Sequence, residues 1–286
     1  MTTLDSKQYK EEERRNWDRV ANNWQKWWTT IERDAEKVSR RLIELAEVKE
    51  GSRVLDIATG IGEPAITAAN RVGSGGHVLA TDISPQMLSI AKQRAISLGL
   101  QNVIEFKEGD IETIDLPSSA FDAVLCRWGL MLLPDLKAGL SNIYQSLLNG
   151  GHFAAAVWAL PAQDTLIATT MNTVMKETNG KPPPPGTPGL FSLSDENSLK
   201  NSFIMSGFKD LNIERMNVSF DFDSPEDYTT FTSETIGPLQ KVLANQTSER
   251  KKEILKVVTE AAEKYANKNT GIVSLVNEAI LIVGKK

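Results

Sequence analysis

The chain has 286 residues, 41% of them hydrophobic, and a formal net charge of −5. That length and apolar content suffice for one large domain with a sizeable core, which excludes a disordered chain. The acidic balance argues against a phosphate-tracking nucleic-acid surface, and one cysteine with two histidines (Cys126, His77, His152) supplies neither a disulfide nor a zinc site of the usual kind.

Apolar runs such as Phe153 to Leu160 fall well short of the ~20 residues of a membrane span, and the first residues are polar and charged. The expectation is a cytoplasmic protein without a span or signal peptide. Over residues 7–29, Trp17, Ala21, Trp24 and Trp28 recur at helical spacing and share one face. Residues 31–48 repeat the period with Ile31, Val38, Leu42, Leu45 and Ala46, and Gly51 ends them. Residues 1–50 are therefore expected to form a helical cap.

Strands then alternate with helices. Strands are expected at 53–58, 77–83, 102–107, 121–126 and 152–158, with helices from about Pro64, over 85–98 and over 135–148. Such alternation predicts a parallel sheet with helices on both faces. The prolines Pro182 to Pro185 with Gly186 and Gly189 mark a loop. A helix over 195–205, a strand over 211–218, a mostly helical stretch over 226–267 and a strand over 279–283 complete the chain. The expected fold is α/β, a seven-stranded, mostly parallel sheet with N-terminal helices. Its core spans 51–225 and 272–286, and a helical lid insertion spans 226–271, before the last strand.

The chemistry-bearing segment is Asp56 to Ala65 (DIATGIGEPA), where the first strand turns into a helix. Gly60 and Gly62 permit close approach of a ligand to the backbone, and the helix behind them offers free N–H groups. Gly60, Gly62 and Ala65 also satisfy the dinucleotide pattern G-x-G-x-x-G/A, so a nicotinamide-dependent oxidoreductase is an alternative. Two carboxylates weigh against it. Glu63 stands where a pyrophosphate would bind, and Asp56 ends an otherwise apolar strand. An anionic crevice suits a ligand carrying an ammonium and a sulfonium.

An acidic residue, three intervening residues and then G-x-G resembles the first motif of the class I S-adenosylmethionine-dependent methyltransferases, whose fold is Rossmann-like. The resemblance implies that Asp56, Ala58, Thr59, Gly60 and Gly62 wrap the methionine portion of S-adenosylmethionine. Asp82, ending the second strand, matches the residue that holds the ribose hydroxyls, with Ile83 and Met87 flanking the adenine. Asp110 matches the acceptor of the adenine amino group, with Ile111 alongside, and Cys126 lies at the end of the fourth strand against the cofactor. The segments Phe121 to Asp135 and Leu147 to Phe153 are similar to the ubiquinone/menaquinone C-methyltransferase-like family of small-molecule enzymes, over roughly residues 35–160. That family methylates carbon, nitrogen and oxygen, so membership names no acceptor.

Methyl transfer is an in-line displacement at a carbon already activated by positive sulfur, leaving S-adenosylhomocysteine. Alignment of the acceptor at about 3–3.5 Å is the enzyme's main task. A strong catalytic base is not required by this chemistry and the catalytic residues stay open, no metal is expected, and the two histidines read as structural. Position after the fourth and fifth strands makes Arg127, Trp128 and Trp158 candidates for the acceptor pocket. Arg127 either pairs with a ligand carboxylate or bridges structural acids. Trp24 and Trp28 either dock the first helix or close over the cofactor, forming a two-part lid with the insertion and Phe222, Tyr228 and Phe231. A non-catalytic S-adenosylmethionine-binding protein is the further alternative, with Trp128 and Trp158 filling the pocket. The expected partner is a small-molecule acceptor, not nucleic acid, and the protein is expected as a monomer or homodimer.

Overall fold

A computed structural model describes residues 5–160, 166–180, 184 and 186–286. Of the proline run at 182–185, only Pro184 lies within the described residues.

Seven strands form one sheet in the order β3-β2-β1-β4-β5-β7-β6. They are β1 (Arg53–Ile57), β2 (His77–Asp82), β3 (Ile104–Glu108), β4 (Phe121–Arg127), β5 (Leu147–Trp158), β6 (Lys209–Phe222) and β7 (Val273–Lys285). The first five pair in parallel, and β7 runs antiparallel between β5 and β6. The first strand reads as a continuous apolar run because both its faces are covered: Val54, Leu55 and Ile57 are all buried. The order reverses between β1 and β4, since the chain winds outward from β1 to β3 and then returns. Such a switch point opens a crevice at the carboxyl ends of the strands.

The ten helices of the described residues are α1 (Ser6–Lys26), α2 (Trp28–Leu45), α3 (Ala65–Val72), α4 (Pro85–Ser97), α5 (Leu136–Ser146), α6 (Leu166–Glu177), α7 (Glu196–Met205), α8 (Pro225–Thr235), α9 (Gly237–Ala244) and α10 (Ser248–Glu263). Asp5 caps α1 by accepting from the Lys7 and Gln8 amides, and Ser84 with Pro85 starts α4. The α5 helix stops at Ser146, two residues short of the expected end, because Leu147 already pairs with Phe121 of β4.

The structure separates the two helices that the sequence groups as a cap. Helix α2 buries Ile31, Ala35, Val38 and Leu42 and packs on β4, β5 and β6, so it is a layer of the core. Helix α1 instead lies on α4, with Val20 and Ala21 against Ile61, Met87 and Ile90. Helices α8 to α10 fall within the expected insertion. Tyr228 and Phe231 of α8 pack against Phe222 of β6, and the Tyr228 hydroxyl donates to the Leu166 carbonyl of α6. Helix α6 has no counterpart in the sequence reading, because threonines interrupt its apolar period. Thr169 and Thr170 are buried there nonetheless.

Candidate active site

The turn after β1 is shaped by its backbone. Ala58 and Gly60 have φ of 54° and 56°, and Gly62 has φ of 110°. A Cβ added at Gly60 would meet nothing within 4 Å, whereas one at Gly62 would come 3.0 Å from Ile66 and 3.4 Å from Ala91. Gly60 therefore borders open space, and Gly62 lets the turn pack on α3 and α4.

The amides at the start of α3 are already taken. Ala65 N donates to Asp56 Oδ2 at 3.0 Å, and Thr67 N and Oγ1 donate to Glu63 Oε2 at 3.2 and 2.6 Å. The positive end of this helix, which cradles the pyrophosphate in dinucleotide-binding folds, is thus filled by two of the chain's own carboxylates. Burial pushes the Asp56 carboxyl up to about 8. The Thr59 hydroxyl lies near enough to favour its charged form, yet Asp56 Oδ1 and Thr59 Oγ1 are both buried without completing a hydrogen bond. An unpaired carboxyl oxygen and an unpaired hydroxyl beside a glycine that opens onto free space fit a ligand bearing an ammonium group.

At the end of β2, Asp82 accepts from Gly60 N and Ser84 N, each at 2.8 Å, and so ties the first turn to the second. Burial raises its carboxyl to about 6. Ile83 is half-buried beside it, while Met87 and Ile111 are buried. Asp110 Oδ1 accepts from Glu112 N. The three carboxylates thus stand at the ends of β1, β2 and β3 in the order that the sequence implied.

Helix α1 crosses this row. Lys10 forms ion pairs with Asp110, at 2.7 Å, and with Glu112. Asp18 accepts from the Ser84 hydroxyl at 2.6 Å. Trp17, Trp24 and Trp28 surround the contact of Val20 and Ala21 with Met87, and Arg94 lies 3.3 Å beneath the Trp28 ring while donating to the Ile61 carbonyl. Removing residues 1–26 is expected to weaken S-adenosylhomocysteine binding at least ~tenfold, because it uncovers the apolar wall at Ile61, Met87 and Ile90. Calorimetric titration of the shortened chain checks this, and unchanged affinity would show that α1 is only docked.

Of the acceptor-side candidates, Arg127 is fully engaged. Its guanidinium holds Glu32 at 2.6 and 3.1 Å, the Ala35 carbonyl at 3.2 Å and the Ser39 hydroxyl at 2.9 Å, which is the structural of its two readings. Replacing Glu32 by alanine is expected to cost about 3–5 kcal/mol of folding stability, since it leaves a buried guanidinium unpaired. Urea denaturation measures that loss. Cys126 is fully buried and its thiol is pushed up to about 12, so it remains neutral and packs under Gly129, where an added Cβ would sit 2.9 Å from its sulfur. Trp128, at φ 61°, stacks on Trp158 with ring centroids 4.3 Å apart. Trp24 Nε1 donates to the Thr235 carbonyl and Trp27 Nε1 to Glu234, so the α1–α2 elbow is fastened to α8.

Residues 48–181 match the family described as "Methyltransferase domain". This segment is similar to a methyltransferase domain. It is 36% identical over 112 residues to the ubiquinone/menaquinone biosynthesis C-methyltransferase UbiE of Xanthomonas oryzae pv. oryzae, covering 39% of this chain and 44% of the relative. The aklanonic acid methyltransferase DauC of a Streptomyces species is 38% identical over 117 residues, covering 41% of this chain and 53% of the relative. The chain thus spans about half the length of the curated relatives it matches. The YcgJ protein of Bacillus subtilis shares the fold, with a TM-score of 0.59 and 20% identity over 88% of this chain and 98% of that one. The resemblance to class I methyltransferases of the ubiquinone/menaquinone type is borne out by these matches.

Several residues around the methyltransferase domain escape sequence reading. Lys10, Asp18 and Glu32 precede residues 48–181 and pair with them across 66 to 100 positions, and Trp27 pairs with Glu234, 207 positions on. No local pattern marks them. Arg94 lies in an ordinary helical period, and only the fold brings it under Trp28. Among the described residues no cluster of His, Cys, Asp and Glu is arranged to hold a metal, and no helix is long and apolar enough to cross a membrane.

Proposed function

We propose that this protein transfers the methyl group of S-adenosylmethionine to a small-molecule acceptor. The observation that carries the reading is the occupation of the α3 amides by Asp56 and Glu63, followed by Asp82 and Asp110 at the next two strand ends. Carboxyl groups occupying the α3 amides leave no room there for a pyrophosphate, which weighs against the oxidoreductase reading. Bound there, the cofactor supplies a methyl group on positively charged sulfur. The chain's own residues do the positioning. Asp56 and Thr59 meet the amino-acid end, Asp82 the ribose, Asp110 the adenine amino group, and Ile83, Met87 and Ile111 the faces of the base. Helix α1 covers this row and excludes water, with Trp24 at its end nearest α8 and Trp28 at the start of α2. Acceptor chemistry belongs on the side of Trp128 and Trp158, beyond Gly129, whose Cβ position lies 2.5 Å from Ala58. The reading places the protein in the cytoplasm with Cys126 reduced. Titration with S-adenosylhomocysteine against NADH tests it: tight binding of the former is expected, and binding of NADH alone would overturn it.

A further inference from the structure

The turn between β1 and α3 is anchored unevenly. Thr59 N donates to the Thr81 carbonyl, Gly60 N to Asp82, and the Gly62 and Glu63 amides both donate to the Thr59 carbonyl. Ile61, between the two glycines, is buried, and the one hydrogen bond it makes among the described residues is the one its carbonyl accepts from Arg94. A glycine on either side leaves the peptide planes around Ile61 free to turn, so the shape of the tip depends on that donor. A basic side chain in the last turn of a helix ordinarily serves the carbonyls of its own helix. Arg94, in the last turn of α4, reaches out instead. It continues the face of α4 that carries Met87 and Ile90, and Ala91 on that face meets Gly62.

Three parts of the molecule meet on this guanidinium. Besides the Ile61 carbonyl, it faces Glu63 Oε1 at 3.7 Å, and the same carboxyl accepts from the Thr67 amide in the first turn of α3. Over it lies the indole of Trp28, with the ring centroid 3.3 Å away, and Trp28 starts α2 directly after Trp27, which Glu234 fastens to α8. A guanidinium can serve all three together, because its N–H donors lie in its plane while its face is left for the ring. We propose that Arg94 is a positioning residue that fixes the tip of the Gly60–Gly62 turn for the cofactor and couples that turn to the α1–α2 elbow through Trp28. This rests on the methyltransferase reading above. A filled turn and a closed elbow each hold Arg94 in the geometry the other needs, so each favours the other by the same factor.

The test titrates the full chain with S-adenosylhomocysteine by calorimetry. A second readout is Trp28 emission, taken as the difference between each protein and its Trp28→Leu counterpart. Arg94→Met is expected to weaken binding at least ~tenfold and to abolish the change in Trp28 emission that the ligand causes in the wild type. Trp28→Leu is expected to weaken binding ~threefold, and the double variant to bind within ~twofold of Arg94→Met alone, because both substitutions break one linkage. Arg94→Lys keeps a cation under the ring but not the planar fork, so it should fold and bind at least ~threefold more weakly than the wild type. It takes the place of Arg94→Met in the cycle should that variant not fold. An arginine that only stabilises the fold would lower the melting temperature and leave affinity and emission unmoved. The proposal is overturned if an Arg94 variant binds as tightly as the wild type, or if the two losses multiply in the double variant. It is equally overturned if Trp28 emission does not respond to the ligand in the wild type, or still responds in Arg94→Met. Failure of the wild type to bind S-adenosylhomocysteine would instead defeat the methyltransferase reading itself.

Discussion

Replacing Asp82 by alanine is expected to weaken S-adenosylhomocysteine binding by roughly a hundredfold in a calorimetric titration at neutral pH. A carboxylate offers about four lone-pair sites, and the Gly60 and Ser84 amides use two of them. The remaining two suit a pair of vicinal hydroxyls, and each such charge-assisted bond contributes about 1.5–3 kcal/mol. The loss has a pH signature. Burial lifts the Asp82 carboxyl to about 6, and only its ionised form accepts both hydroxyls, so wild-type affinity should fall as pH drops through that value. The variant should lack this dependence. An alanine variant that binds as tightly as the wild type would remove Asp82 from the site.

Asp56→Asn separates stability from binding. Folding raises the Asp56 carboxyl to about 8, so the native state holds its proton where the unfolded chain has lost it. By linkage, stability falls as pH rises from about 4 toward about 8, the reverse of an ion-paired carboxylate. The ligand-free wild type should therefore lose on the order of 2–4 kcal/mol relative to the variant between about pH 5 and about pH 8. The measurement is urea denaturation at the two pH values. An asparagine oxygen can still accept from Ala65, but the amide cannot balance an ammonium, so S-adenosylhomocysteine affinity should drop by at least ~tenfold in the same variant. A stability difference that is the same at both pH values would mean that Asp56 stays ionised when the site is empty.

The parts of this site that were legible in the sequence are those where the backbone itself demands a residue type. The turn from Asp56 to Gly62 needs residues that tolerate positive φ, and carboxylates closing β1, β2 and β3 form a pattern that survives without coordinates. The seven strands were legible for the same reason, as apolar runs between turn residues. Side-chain partnerships were not. Arg127 had two defensible readings until Glu32, 95 positions away, was seen to hold it. The tryptophan stripe was correct in period but not in extent: α1 ends at Lys26, so Trp28 starts a new helix, and Trp27 points to Phe231 and Glu234.

Helix α1 also sets a clock. It is held over the cleft by two kinds of contact that respond oppositely to salt: the partly exposed Lys10 pairs with Asp110 and Glu112, which ions screen, and the apolar seam at Val20, Ala21 and Met87, which excluded salts tighten. On the proposed placement of the nucleoside at Asp82 and Asp110, its release is expected to require that helix to lift. Escape of the spent cofactor should therefore quicken with sodium chloride and slow with sulfate at equal ionic strength, making turnover a question of which ions surround the protein.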